Sequence, residues 1–477
     1  MKSSKLIFCG CVAAAMLSTA AGEKGNTTAG KSNTMDNIYD VTGKRELFID
    51  DFLIESKRGI AVKQHAPVEL PSNPDKPIGH YNTILQKPDG TYLCYFRGVD
   101  NVYKGKMYNN HPGEYVGVST SKDGVKWETP DFKLFPGKPV PTNTIFYGGN
   151  GITHNFVPFY DANPECKASE RYKAVAGVRE TKGLFAYYSA DGINWKMYGT
   201  APVIKYEPDK TGGHMLDSQN AVFYSQEEKC YVMYIRVWKT ADGLKGLRSI
   251  AKVVSKDFTT WSEPEFLKMN RKGEHIYVSG LAPYFRAPHY YAGAATRYFG
   301  NRGSATDVVL LFSRSGKGII RPSYEAWIRP GLDPERWLNR MNYLSLGIVQ
   351  ESPETMLLYH NRKKLMYRLR TDGFVSLNAG ITTGTVLTKV LSRRGGNVEF
   401  NIATSAGGGF RVEVCDENGN ALPGYRFTDM KEFYGDKIAF VPQWKGGKTL
   451  ADLPAGKFRL RLHLKECDLY SVAFPEK

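Results

Sequence analysis

The strongest constraint on the fold of this chain is a turn that it spells three times. Ser121–Trp127 reads SKDGVKW, Ser189–Trp195 reads SADGINW and Ser255–Trp261 reads SKDFTTW, with starts 68 and then 66 residues apart. Asp-Gly supports a tight turn, because Gly accepts positive φ and the Asp side chain bonds nearby backbone N–H groups. A turn that recurs at this interval marks a long repeat rather than a single site. Before each copy lies a run that begins polar and turns apolar: GHYNTILQ from Gly79, THNFVPFY from Thr153 and LDSQNAVFY from Leu216. Two more such runs follow, IYVSGLAPYF from Ile276 and NYLSLGIV from Asn342. With His80, His154, Asp217, Tyr277 and Asn342 as markers, the units step by 60 to 74 residues.

Each unit holds three to four short strands. Such a sheet cannot bury both faces alone, so the units must stack, and radial stacking of four-stranded sheets makes a β-propeller. The repeat predicts an all-β chain with a five-bladed propeller over residues 45–379. ELFIDDFLIES at 46–56 is the strand expected to complete the last blade and close the ring. From Gly380 the repeat gives way to two-residue alternation: Val398, Phe400, Ile402; Phe410, Val412, Val414; Phe458, Leu460, Leu462, Leu464. That pattern predicts a small β-sandwich over 380–477, joined to the ring by LRTDGFVSL at 369–377.

The N-terminus predicts export. Lys2 and Lys5 precede the apolar LIFCGCVAAAML, and STAAG supplies small residues for cleavage, giving a signal peptide over 1–22. Cys11 offers a second processing route, as a lipid-attachment cysteine. Residues 23–44 are polar at first and read as a flexible leader. No later run reaches the ~20 apolar residues of a membrane span. The expected location is the periplasm or surface of a bacterium. The remaining cysteines are odd in number and form no C-x-x-C, so they indicate neither a zinc site nor a disulfide framework. The formal charge is +16. In an exported protein that charge points away from nucleic acid and toward an anionic polysaccharide or cell surface.

In a propeller the inner strand of every blade points one end at a central funnel, so polar residues at strand starts converge there. Here they are His80 and Asn82; His154 and Asn155; Asp217, Gln219 and Asn220; Glu274, His275 and Tyr277; and Arg340, Asn342 and Tyr343. A purely structural ring has no need of His, Asp or Glu at these places.

The five-unit layout, HNFVPFYD…ERYKAVAG in the second unit and DSQNAVFY in the third resemble the five-bladed glycosidase superfamily that includes glycoside hydrolase families 32, 43 and 117. LFIDDFLIE, FRAPH, WIRPGLDPERW, NRMNY and RTDGFVSL are similar to a group of exported bacterial glycosidase-like proteins with a C-terminal sandwich. The resemblance implies hydrolysis of O-glycosyl bonds in an oligosaccharide or polysaccharide, with no required cofactor. A structural Ca²⁺ in the channel is compatible with such a ring, but no run of acids calls for one. Glycoside hydrolysis uses two carboxyl groups across the scissile bond. Asp217 matches the superfamily's third-blade carboxylate, whereas the first blade shows His80-Tyr81-Asn82 where families 43 and 32 place an Asp. Glu274 and Glu325 are the carboxylates expected to fill that gap, and His154 and His275 stand as acids in the manner of family 117. Arg286 is a candidate for binding a carboxylate or sulfate. The reading is an exo-acting hydrolase of an acidic glycan. A non-catalytic glycan-binding protein and a polysaccharide lyase using Tyr277, His275 and Arg286 are the alternatives.

Overall fold

The computed structural model describes residues 38–105, 113–148 and 151–476. The expected signal peptide, Cys11 and the leader up to residue 37 lie outside the described residues. Among the described residues, no helix is long and apolar enough to cross a membrane.

Five sheets of four or five strands carry the repeat. Blade 1 pairs His80–Gln86, Tyr92–Asp100, Gly113–Ser121 and Thr144–Tyr147. Blade 2 begins at Val157–Tyr160, blade 3 at Ala221–Ser225, blade 4 at His275–Val278 and blade 5 at Val349–Gln350. All pairings within the blades are antiparallel, and neighbouring inner strands lie side by side around the ring. The apolar faces of adjacent blades form the core. One cluster runs through blades 2, 3 and 4, and another joins blades 4 and 5 through Val308, Leu310, Met356 and Leu358.

The three heptamers occupy equivalent turns, each closing the third strand of its blade. In the first, Ser121 Oγ accepts from Gly124 N at 2.9 Å, and Asp123 Oδ1 accepts from the Val125 and Lys126 amides. The turn also ties blades together: Tyr359 Oη of blade 5 donates to Gly124 O, and Tyr95 Oη of blade 1 donates to Gly192 O. A Cβ on Gly192 would lie 2.5 Å from that Tyr95 hydroxyl, which is why Gly is needed there beyond its φ of +78°. In the third copy Phe258 takes the position at φ +69° and packs edge-on against Phe159 of blade 2 instead.

The ring closes differently from the expectation. The fourth strand of blade 5 is Val68–Glu69, which pairs with Tyr367 and Arg368. The stretch 46–56 lies in the sandwich: Arg45–Leu47 pairs with the long strand Gly456–Ala473, and Ile54–Arg58 pairs with Gly384–Thr388. The physical reason is hydrogen-bond supply. An 18-residue strand presents a long edge of backbone donors and acceptors, and blade 5 needs only a two-residue closing strand. Both boundaries of the sandwich move with this. Val375–Ala379 pairs with its residues 467–469, and Tyr39–Asp40, within the expected leader, runs parallel to Leu391 and Ser392. The sandwich core is built from the alternating residues that the sequence singles out, Val398 through Leu464. Cys94, Cys166, Cys230, Cys415 and Cys467 are all free and buried.

Candidate active site

The starts of the inner strands meet at one mouth of the ring, around a cavity of about 80 Å³. The far ends meet at the opposite mouth, where apolar residues such as Phe159, Phe223 and Val349 line a cavity of about 380 Å³. The polar mouth holds His80, His154, Asp217, Tyr277, Arg340 and Tyr343 of the predicted set, together with Tyr81, Arg97 and Arg362.

Asp217 is the one carboxylate among the described residues lining this cavity, and its side chain is 34% exposed. Its Oδ2 lies 2.8 Å from Arg236 Nη2 and its Oδ1 lies 3.6 Å from His154 Nε2. Burial alone would raise the carboxyl, but the Arg236 charge and the bond to His154 hold it well below the usual carboxylate range. It is therefore ionised at any working pH.

His154 is clamped from behind. Its Nδ1 lies 2.9 Å from Arg97 Nη1 and 3.1 Å from both carboxylate oxygens of the buried Glu114, and Arg97 Nη1 also donates to the His154 carbonyl at 3.0 Å. A carboxylate on one ring nitrogen fixes the ring's orientation and turns the other nitrogen toward the reacting side. The imidazole thus bridges Glu114 and Asp217. Across the mouth, the Tyr81 and Tyr277 hydroxyls are 2.7 Å apart. Burial, then Tyr277 and Asp217, push the Tyr81 hydroxyl well above its ordinary value. Tyr81, Leu216 and Arg340 all have φ between +53° and +65°, so three non-glycine residues of this rim hold a strained backbone.

Cations outnumber acids. Arg97, Arg340 and Arg362 line the cavity beside Arg236, whose Nε and Nη1 are buried without a protein partner. An anion within the cavity would pair with the three arginines on its wall.

The other predicted residues have different places. Asn82, Asn155, Gln219 and Asn342 are buried and spent on stitching the ring. Gln219 Nε2 crosses from blade 3 to the carbonyls of Tyr81 and Asn82 in blade 1, and Asn155 Nδ2 donates to Leu216 O. Asn82 N donates to Asn361 Oδ1, and Asn342 Nδ2 donates to Ile328 O. Glu274 is bound by Arg321 at 2.6 Å and lies 3.7 Å from Arg297, within blade 4. Glu325 is 79% exposed on another groove, with Arg329 at 3.9 Å. Arg286 binds Asp372 at 2.9 Å where propeller meets sandwich. None of these three lines the Asp217 cavity. His275 lies on an adjoining patch, with its ring against Trp238 and Tyr298.

Arg97, Glu114 and Arg236 were missed because they sit on second and third strands rather than at inner-strand starts. A signal for two of them exists: Tyr95-Phe96-Arg97 and Tyr234-Ile235-Arg236 place an arginine at the same point of an apolar second strand in two repeats. Among the described residues, no group of three or more His, Cys, Asp or Glu is arranged to hold a metal ion.

No protein-family model matches the chain, and no curated protein does. Among solved structures the chain is similar to a glycoside hydrolase at 12% identity and TM-score 0.44, covering 64% of this chain and 91% of that one. It is similar to the endo-arabinase of Bacteroides thetaiotaomicron at 12% identity and TM-score 0.39, covering 65% and 97%. A fructofuranosidase of Schwanniomyces occidentalis follows at 11% identity and TM-score 0.37, covering 86% and 97%.

Proposed function

We propose that this protein is an exported glycoside hydrolase acting at the ends of an anionic glycan. The observation that carries the reading is the Asp217 carboxylate, open to the funnel, kept ionised by Arg236 and faced by His154 Nε2. Asp217 acts as the ionised partner that activates water or meets the anomeric centre. His154, oriented by Glu114, hands a proton to the leaving oxygen. Arg97, Arg340 and Arg362, on the cavity wall, bind the carboxylate or sulfate of the terminal sugar, while Arg236 holds Asp217. A cavity this small at the bottom of the mouth admits only the end of a chain, which favours exo action. The N-terminal basic and apolar segment supports export.

The test is turnover of uronic and sulfated oligosaccharides by wild type and Asp217→Asn, followed by new reducing ends and by ultraviolet absorbance. New reducing ends without absorbance, lost in the variant, support hydrolysis. Absorbance from a new double bond would make the protein a lyase. A second reading is favoured by the single carboxylate lining the cavity: a glycan-binding protein on the same scaffold. Binding without cleavage across the panel would establish it.

A further inference from the structure

Beside the Asp217 cavity lies a patch that the proposed chemistry does not use. Three tyrosine rings run outward from the cavity. Tyr81 and Tyr277 stack with centroids 6.4 Å apart, and Tyr277 and Tyr298 stack at 6.1 Å. An arginine faces each step: Arg97 lies over Tyr81 at 5.1 Å, Arg236 over Tyr277 at 5.5 Å and Arg248 over Tyr298 at 4.1 Å. The first two arginines have acidic company in Glu114 and Asp217. Arg248 has none among the described residues. Its guanidinium is wedged between Tyr298 and Trp238, 4.4 Å from the Trp ring centroid, and its Nε is buried without a partner. Burial and then the Arg236 charge press on it and hold its pKa below the ordinary value.

The wedge is built, not incidental. His275 Nδ1 accepts from the Arg248 amide at 3.2 Å, and its ring packs on Trp238 and Tyr298. Asn270 Nδ2 donates to the Arg248 carbonyl. A half-buried guanidinium packed against two half-buried rings, with a donor left unpartnered, has the fork that binds a carboxylate or sulfate through paired hydrogen bonds. The flanking rings offer apolar faces against which a sugar can lie.

We propose that Arg248, flanked by Trp238 and Tyr298, is a second anion-binding subsite, which takes the carboxylate or sulfate of the sugar adjoining the one held over Asp217. The proposal rests on the glycan reading of the funnel. It makes the protein selective for glycans charged on consecutive residues. The arginines of the cavity wall and Arg248 then read two neighbouring charges.

The test is affinity electrophoresis in native gels containing polygalacturonate, chondroitin sulfate or neutral arabinan, with a polysaccharide-free gel correcting for the altered net charge. Arg248→Ala is compared in the Asp217→Asn background, so that no glycan is consumed. Arg248→Lys is run alongside as the variant that keeps the charge and loses the fork. The expected result is that the parent is retarded by at least one polyanion, with apparent affinity about tenfold weaker in Arg248→Ala and intermediate in Arg248→Lys. The polyanion on which Arg248 matters identifies the substituent. Unchanged retardation in Arg248→Ala overturns the subsite, as does retardation by arabinan alone or by no gel. Hydrolysis lost in Asp217→Asn would stand apart from that failure. An absence of turnover with Arg248-dependent retardation would remove the hydrolase reading and keep the subsite.

Discussion

Glu46 and Asp217 each sit among arginine, histidine and tyrosine side chains, one at the junction of propeller and sandwich, the other at the mouth of the funnel. Around Glu46 the account closes. Its side chain is 1% exposed, Oε1 accepts from Tyr39 Oη and His289 Nε2, and Oε2 accepts from Tyr290 Oη and Arg314 Nη1. Arg314 is shared in turn with Asp50. Around Asp217 nothing closes. The carboxylate is 34% exposed and Arg236 keeps two donor nitrogens unpartnered, with three more arginines on the cavity wall. The same residue types make a lock where their bonds are saturated and a site where they are left over. Fully satisfied buried networks fix a structure, whereas unpaired buried donors need water or a ligand to complete them.

The largest effects should separate the two clusters. Asp217→Asn removes the ionised group and should lower kcat per folded molecule by about 10³-fold, beside whatever stability is lost by leaving Arg236 without its partner charge. Glu46→Gln should do the reverse. Removing one charge from a buried pair costs about 3 kcal/mol, read from the denaturant midpoint, with activity per folded molecule unchanged. If Glu46→Gln lost activity at full stability, or Asp217→Asn lost mainly stability, the contrast would collapse.

Titration sharpens it further. Burial would raise the Glu46 carboxyl, but its bond to His289 and the Arg314 charge outweigh that and hold it at about 2. A carboxyl depressed by folding stabilises above its ordinary pKa and loses that contribution as pH falls toward the folded value. Wild type should therefore lose about 3 kcal/mol between pH 5 and pH 2 through this group, and Glu46→Gln should flatten that slope. At Asp217 the readout is activity. Because Arg236 keeps it ionised to low pH, Asp217 sets no acid limb near pH 4 in wild type. In Arg236→Gln such a limb should emerge in the kcat/KM profile near pH ~4, where an ordinary Asp titrates. An unmoved profile would take the ionised role away from Asp217.

The repeat and the alternation made the architecture legible. Periodicity is a property of the chain itself, so five blades, a sandwich and the identity of the converging strand starts could all be read from it. Ring closure could not, because a strand such as 46–56 fits either edge, and the choice falls to the longer unpaired one. The site was half legible for a related reason. Asp217 and His154 stand at strand starts, where the pattern looks. Polarity alone does not separate a ligand-facing Asn from one that stitches blades, so Asn82, Asn155 and Gln219 read like site residues and are staples. Glu114 shows no pattern in sequence, since its partner His154 lies 40 residues on and meets it only through the pairing of adjacent blades.

The smallest expected effect concerns the repeated turn, which belongs to neither cluster. Gly192 combines φ +78° with a hydroxyl that a Cβ would meet at 2.5 Å, so Gly192→Ala forces either the turn or Tyr95 to shift. The left-handed conformation alone costs a non-glycine residue about 1–2 kcal/mol. The third copy shows that the conformation is bearable when the neighbour is rearranged, because Phe258 holds φ +69° against Phe159 rather than against a tyrosine hydroxyl. Gly192→Ala should thus cost about 2 kcal/mol in thermal or denaturant unfolding. Combining it with Tyr95→Phe should recover part of that loss by removing the clashing oxygen. Activity per folded molecule should be untouched, since the turn closes a third strand remote from the inner-strand starts. A drop in kcat at full folding would mean that the rim of blade 2 controls the position of His154, and the separation between scaffold and site drawn from Glu46 and Asp217 would not extend to the blades themselves.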